Sequence, residues 1–148
     1  MYVYVEADNR NVEDVYAVVW ASYDTCQWKQ VYSKKMEYYE DAKVAASAKV
    51  LNVIYDPDTQ LTLFVKGHHI FYSRDCKEWI DCHLTELQTA GGAIVSLGNG
   101  RFAIWPDRNE GYTPVVDEYC VAVVSYDEAN GFTVDDNVRF PSEVVATF

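Results

Sequence analysis

Ser73-Arg74-Asp75-Cys76-Lys77-Glu78-Trp79, set between Ile70-Phe71-Tyr72 and Ile80-Asp81-Cys82, decides how this chain is read. It has the form of a strand, a tight polar turn, and a second strand opening on a large aromatic. Ser and Asp two residues apart can bond the turn's own backbone groups, and the aromatic can pack on the hairpin's inner face. The same figure stands earlier as Ser22-Tyr23-Asp24-Thr25-Cys26-Gln27-Trp28, after Val18-Val19-Trp20. An eroded copy runs Ser125-Tyr126-Asp127, then Gly131-Phe132, with Val121-Ala122-Val123-Val124 before it. The serines are spaced 73 − 22 = 51 and 125 − 73 = 52 residues. A nearly fixed period of that size marks tandem copies of one supersecondary unit.

Ser-x-Asp-x-x-x-Trp between two strands resembles the Asp-box, or BNR, repeat of sialidase-like β-propellers. The resemblance covers most of the chain as three tandem units. Cys26 and Cys76 stand where the family's pattern usually has Gly or another small residue. The third copy has an insertion and Phe132 in place of Trp. The resemblance implies an all-β fold of four-stranded antiparallel blades. It also implies that Ser22, Asp24, Trp28, Ser73, Asp75, Trp79, Ser125, Asp127 and Phe132 are structural turn residues, away from any catalytic centre.

Taken in order, Met1 to Ala7 and Val15 to Ser22 read as strands, and Trp28 to Tyr32 leaves the first box. Lys34 to Lys49 reads equally as a short surface helix or a long charged connection. The second unit is Val50 to Tyr55, Leu61 to Lys66, His69 to Ser73 and Trp79 to Leu84. Gly67-His68 makes one of its turns. The third is Ala93 to Leu97, Arg101 to Trp105, Tyr119 to Ser125 and a strand beginning near Phe132. Ser142 to Phe148 is left over as a strand, and the first unit lacks its opening strand. This predicts one domain of three repeats, about 1–49, 50–90 and 91–141, with 142–148 pairing beside Met1 to Ala7 or beside that strand in a neighbouring subunit. Three blades fall short of the roughly four to eight that close a propeller. Two chains sharing one ring, or a monomeric β-trefoil, are the alternatives.

The chain has 148 residues, enough to bury a core. Its 12 Tyr and 4 Trp favour strands over helices. A net charge of −11 argues against nucleic acid and anionic membrane as partners. No apolar run approaches a membrane span, and Met1-Tyr2-Val3-Tyr4 is unlike a signal peptide. Cys26 and Cys76 occupy equivalent places in separate repeats, so all four cysteines read as reduced thiols. Cys82, His83 and the His68-His69 pair have no recognised metal spacing. No metal or cofactor is expected.

The sialidase resemblance would require an arginine trio, a Tyr-Glu pair and an acidic proton donor. Arg10, Arg74, Arg101, Arg108 and Arg139 are present, with Arg74 inside a box turn. Val138-Arg139-Phe140-Pro141 echoes the family's Phe-Arg-Ile-Pro signature but follows the boxes instead of preceding them. Phosphate-loop, nucleophile-elbow and zinc-protease signatures are absent from the sequence. The expectation is a non-enzymatic structural or assembly protein, a homo-oligomer or a subunit of a larger particle. Non-catalytic Asp-box propellers occur in bacteriophage virions, so the expected location is a virion assembled in the host cytoplasm, or the cytoplasm itself. The alternative is a carbohydrate-binding module presenting Trp20, Trp105, Tyr112 or Tyr126 as stacking platforms.

Overall fold

Turn chemistry closes the hairpins. Asn99 and Gly100 both have positive φ, 55° and 74°, the type I′ geometry that Asn-Gly favours and that matches strand twist. Gly67, at φ 59°, opens the two-residue turn between Lys66 and His69 as type II′ turns require. The computed structural model describes residues 1–9, 15–35, 50–87, 93–105 and 118–141. These residues are all β, without helix.

Three separate antiparallel sheets follow one another along the chain. The first is β1 (Tyr2–Asn9), β2 (Val15–Ser22) and β3 (Lys29–Lys35). The second is β4 (Ile54–Asp56), β5 (Leu61–Lys66), β6 (His69–Ser73) and β7 (Ile80–His83). The third is β8 (Ala93–Gly98), β9 (Arg101–Trp105), β10 (Glu118–Asp127) and β11 (Gly131–Pro141). Each sheet is a meander of sequential hairpins and shares no ladder with the next, which is a blade-like arrangement and not the shared barrel of a trefoil. The first sheet has three described strands. The tail 142–148 and the stretch 36–49 lie outside the described residues.

One strand is shorter than the sequence predicts. Val50 to Tyr55 reads as a strand, but β4 is Ile54–Asp56 only. The reason is Asn52: its amide donates to the Ile94 carbonyl at 2.9 Å and accepts from the Ile94 N–H at 2.9 Å. Asn52 thus takes both ladder partners of a β8 residue, and the segment docks on the third sheet instead of extending its own.

The sheets stack through two cores. Phe64, Phe71 and Trp79 of the second sheet pack with Val5, Ala17 and Val19 of the first. On its opposite face, Leu61, Leu63, Val65, Ile70 and Tyr72 pack with Ile94, Phe102, Ile104, Ala122, Val124 and Phe132 of the third. Period-2 alternation lets one sheet serve two cores. Burying a side chain such as Phe64, which has no exposed surface, contributes roughly 1.5–3 kcal/mol.

The register reveals the packing period. Tyr4 pairs with Trp20 in the first sheet, Phe64 with Phe71 in the second, and Ile104 with Ala122 in the third. Trp20, Phe71 and Ala122 are successively 51 residues apart. The packing period is therefore 51 throughout, and Ser125, 52 residues after Ser73, is one residue out of step. A one-residue slip turns a side chain to the other face. Ser125 accordingly donates its hydroxyl to Asp135 on β11 and not to Asp127. This corrects the reading of Ser125 as an Asp-box serine.

Candidate functional site

The first two boxes are self-contained turns. In the first, Asp24 Oδ1 accepts the N–H groups of Cys26 and Gln27, both at 2.8 Å, and Ser22 Oγ accepts the Thr25 N–H at 2.9 Å. In the second, Asp75 Oδ1 accepts from Lys77 and Glu78 at 2.9 Å, and Ser73 Oγ accepts from Cys76 at 2.9 Å. Thr25 and Cys76 sit at the matching positive φ, 65° and 59°. Cys76 is therefore the counterpart of Thr25, and Cys26 lies one residue further on, which corrects the reading of Cys26 and Cys76 as equivalent positions. The third copy is simpler: Asp127 Oδ1 accepts from Ala129 at 2.7 Å and Asn130 at 3.3 Å, and Gly131, at φ 72°, ends a three-residue hairpin.

Those bonds hold two carboxyls below the ordinary value of 3.8. The Gln27 N–H and then that of Cys26 act on Asp24, and the Glu78 N–H and then that of Lys77 act on Asp75. A depressed native pKa stabilises the fold fully above the unfolded value and loses that contribution as pH falls through the native one. The melting temperature is therefore expected to drop below about pH 4, and Asp75→Asn is expected to flatten that drop. A variant with the wild-type slope in a pH series of thermal melts would contradict this role.

A polar seam lies between the first and second sheets, at the end away from the boxes. His69 Nδ1 lies 2.7 Å from Asp81 Oδ1, and Lys34 Nζ lies 3.9 Å from Asp81 Oδ2 across the gap. The rings of His69 and His83 stack in parallel at 4.3 Å, and Lys66 is fully buried on the neighbouring strand. Burial, and then the Asp81 charge, raises the pKa of the Tyr32 hydroxyl beside this seam. The His–Asp pair has the geometry of the orienting half of an acid–base site. The Ser22 and Ser73 hydroxyls and the Cys76 thiol belong to the boxes at the other end, where the serines bond within their own turns and the thiol donates to Thr62. Among the described residues no group of three or more His, Cys, Asp and Glu could hold a metal ion. Cys82 belongs to the core between the second and third sheets, where burial raises its thiol pKa. All four cysteines are thiols outside any disulfide.

Arg74, named above among the arginines, is an inter-sheet strut. It donates to the Thr59 carbonyl at 3.1 Å and to Glu128 at 2.8 Å on the third sheet's hairpin. Arg101 opens β9. Arg10 and Arg108 lie outside the described residues, and Arg139 is described only by its place on β11, opposite Cys120.

An open apolar feature lies on the first sheet's outer face, opposite the Val5, Ala17 and Val19 face that packs on the second sheet. Tyr2, Val3, Tyr4, Trp20, Thr25 and Trp28 line a groove of about 670 Å³. Tyr4 and Trp28 meet edge to face at 6.4 Å, and the Trp28 indole N–H donates to the Thr25 carbonyl at 3.1 Å. Of the aromatics singled out from the sequence, Trp20 is in this groove. Trp105 is exposed on the third sheet's opposite outer face. Tyr126 packs against Tyr72 and Phe132 in the core, and Tyr112 lies outside the described residues. Trp20, Trp105 and Tyr126, the three that are described, do not form one site. Tyr2 and Tyr4 were missed from the sequence, although the Tyr-Val alternation in Tyr2-Val3-Tyr4-Val5 already puts both tyrosines on one face.

No family model matches the chain, and no curated protein matches it. A solved crystal structure of a protein from Lactobacillus plantarum aligns with 91% of this chain at 14% identity and a TM-score of 0.48. The chain spans 40% of that structure's length.

Proposed function

We propose that the chain is a non-enzymatic structural protein, an Asp-box propeller module of the sialidase-like kind. In this reading it builds into a larger particle such as a phage virion. The observation that carries the proposal is the outer face of the first sheet. Its Tyr4, Trp20 and Trp28 stand where Phe64, Phe71 and Trp79 stand in the second sheet, and the latter three form the core between sheets. A face made of packing residues is suited to receive protein. The net charge of −11 supports protein partners over nucleic acid or anionic membrane.

Carbohydrate binding is the second reading, favoured by the four rings lining the open groove. The two readings part on a fluorogenic sialoside assay and a glycan array. The structural reading expects neither turnover nor glycan binding. Turnover that is lost on Arg139→Ala would overturn it in favour of an enzyme. Saturable glycan binding that is lost on Trp20→Ala would overturn it in favour of the lectin.

A further inference from the structure

At the box end, the side of the first sheet that carries Ala17 and Val19 continues past the core into a cleft of about 670 Å³, bounded by Lys77 of the second box. Its floor is built on Ala21, which strand alternation sets beside Val19, and on Val31, which packs on the same core. Tyr23, Gln27, Trp28, Lys29, Gln30 and Lys77 form its exposed rim. The charge of this cleft runs against that of the chain. Acidic residues outnumber basic ones by 23 to 12, yet no carboxylate of the described residues lines it. Asp24 and Asp75 are turned onto the N–H groups of their own boxes. Lys29 and Lys77 come to the cleft from two sheets, and neither makes an ion pair among the described residues. Lys34 and Arg74, by contrast, reach Asp81 and Glu128. The repeat adds an independent comparison. Thr25 and Cys76 share one backbone conformation and are 51 residues apart, and the same step carries Gln27, Lys29 and Gln30 onto Glu78, Ile80 and Asp81. The first box thus has two amides and an ammonium where the second has two carboxylates and a hydrocarbon, and all three of those residues line the cleft.

We infer that this cleft binds an extended acidic segment of a partner protein, seating a Glu or Asp side chain between Lys29 and Lys77. The methylenes of that side chain lie on Ala21 and Val31, and its carboxylate meets the two ammonium groups in charge-assisted hydrogen bonds. The Gln27 and Gln30 amides, each both donor and acceptor, serve the segment's backbone. The Trp28 indole N–H is already given to the Thr25 carbonyl, so that ring offers only its apolar surface. The aliphatic floor favours a side chain over a sugar ring, which stacks on aromatic faces. This inference rests on the structural reading above and names the chemistry of its partner. A net charge of −11 by itself repels any acidic peptide, so capture of one distinguishes the cleft from the chain as a whole.

The test is isothermal titration calorimetry of the full chain against a short peptide of alternating Glu and Ala, with the Gln and Ala counterpart as control. The acidic peptide is expected to bind at one saturable site, and the control not at all. Lys29→Glu and Lys77→Glu are each expected to weaken binding about tenfold or more, since like charges then face each other. Arg101→Glu, the same change of net charge on the third sheet, is expected to leave it unchanged. No binding to the wild type, equal binding of the two peptides, or equal weakening in all three variants would overturn the inference. Binding of an oligogalacturonate in place of the peptide would also overturn it and assign the cleft to the carbohydrate reading. Should a charge-reversed variant fail to fold by circular dichroism, Lys29→Gln and Lys77→Gln replace it, with an expected weakening of about threefold. A chain with no peptide binding, no turnover and no glycan binding sinks this inference and leaves the structural reading. Peptide binding in a chain that turns over a sialoside does the reverse.

Discussion

Trp79→Ala is expected to destabilise the chain by about 3–5 kcal/mol, while Trp28→Ala costs under about 1 kcal/mol. The two tryptophans occupy the same place in successive boxes, so local turn chemistry does not separate them. Their surroundings do. Trp79 lies 5.4 Å from the Phe64 ring and 6.4 Å from the Tyr32 ring of the first sheet, and it is buried. Truncating it leaves a cavity between two sheets that are already close-packed. Trp28 lies at the end of the stack, and its loss removes one edge contact with Tyr4 and one hydrogen bond to Thr25. Chemical denaturation at concentrations below any association is the check. Equal costs would mean that the first sheet's outer face is covered within one chain.

The second large effect is expected at Asp56, a residue absent from the box motif. It is fully buried. One oxygen accepts the Thr59 N–H at 2.9 Å and the Thr59 hydroxyl at 2.7 Å, and the other accepts the Ser96 hydroxyl at 2.6 Å. It closes the β4–β5 turn and ties that turn to β8. Burial alone would push its carboxyl up, but the bonds from Ser96 and Thr59 outweigh burial and hold it below the usual carboxylate range. Asp56→Ala leaves these buried donors unmatched and should cost about 3 kcal/mol, against about 1 kcal/mol for Ser96→Ala. Urea unfolding of the two variants measures both. A ratio near one would mean that the inter-sheet bond to Ser96, and not the turn, carries the whole effect.

How much of this was legible in the sequence follows from which signals are local. The box turns were legible because Ser22-x-Asp24 and Ser73-x-Asp75 bond within their own turns. The hairpins at Gly67-His68 and Gly98-Asn99-Gly100 were legible because positive φ demands particular residues. The third box misled because its serine was matched by identity, while packing is fixed by alternation, and Ser125 points to the wrong face. β4 was overextended because nothing local in Val50 to Tyr55 says that Asn52 will bond the backbone of a strand 42 residues on. The aromatic end face was half legible. Trp20 was visible beside its box, but Tyr4 joins it only through the β1–β2 register. Tyr4 and Phe64 are 60 residues apart while Trp20 and Phe71 are 51 apart, because β1 and β2 run further past this pair than β5 and β6 do and their connection is longer. No single period exposes the match.

The stacking of successive sheets through these hydrophobic sets is tested most directly by a double-mutant cycle across the first interface. Tyr32 on β3 meets Phe71 on β6 edge to face, with centroids 6.1 Å apart and planes at 65°. Tyr32→Leu, Phe71→Leu and the double variant, unfolded by urea, give the coupling between the two rings free of other changes. Stacked sheets require a coupling of about 0.5–1.5 kcal/mol. Costs that simply add to within about 0.3 kcal/mol would mean that the two sheets do not meet through this face.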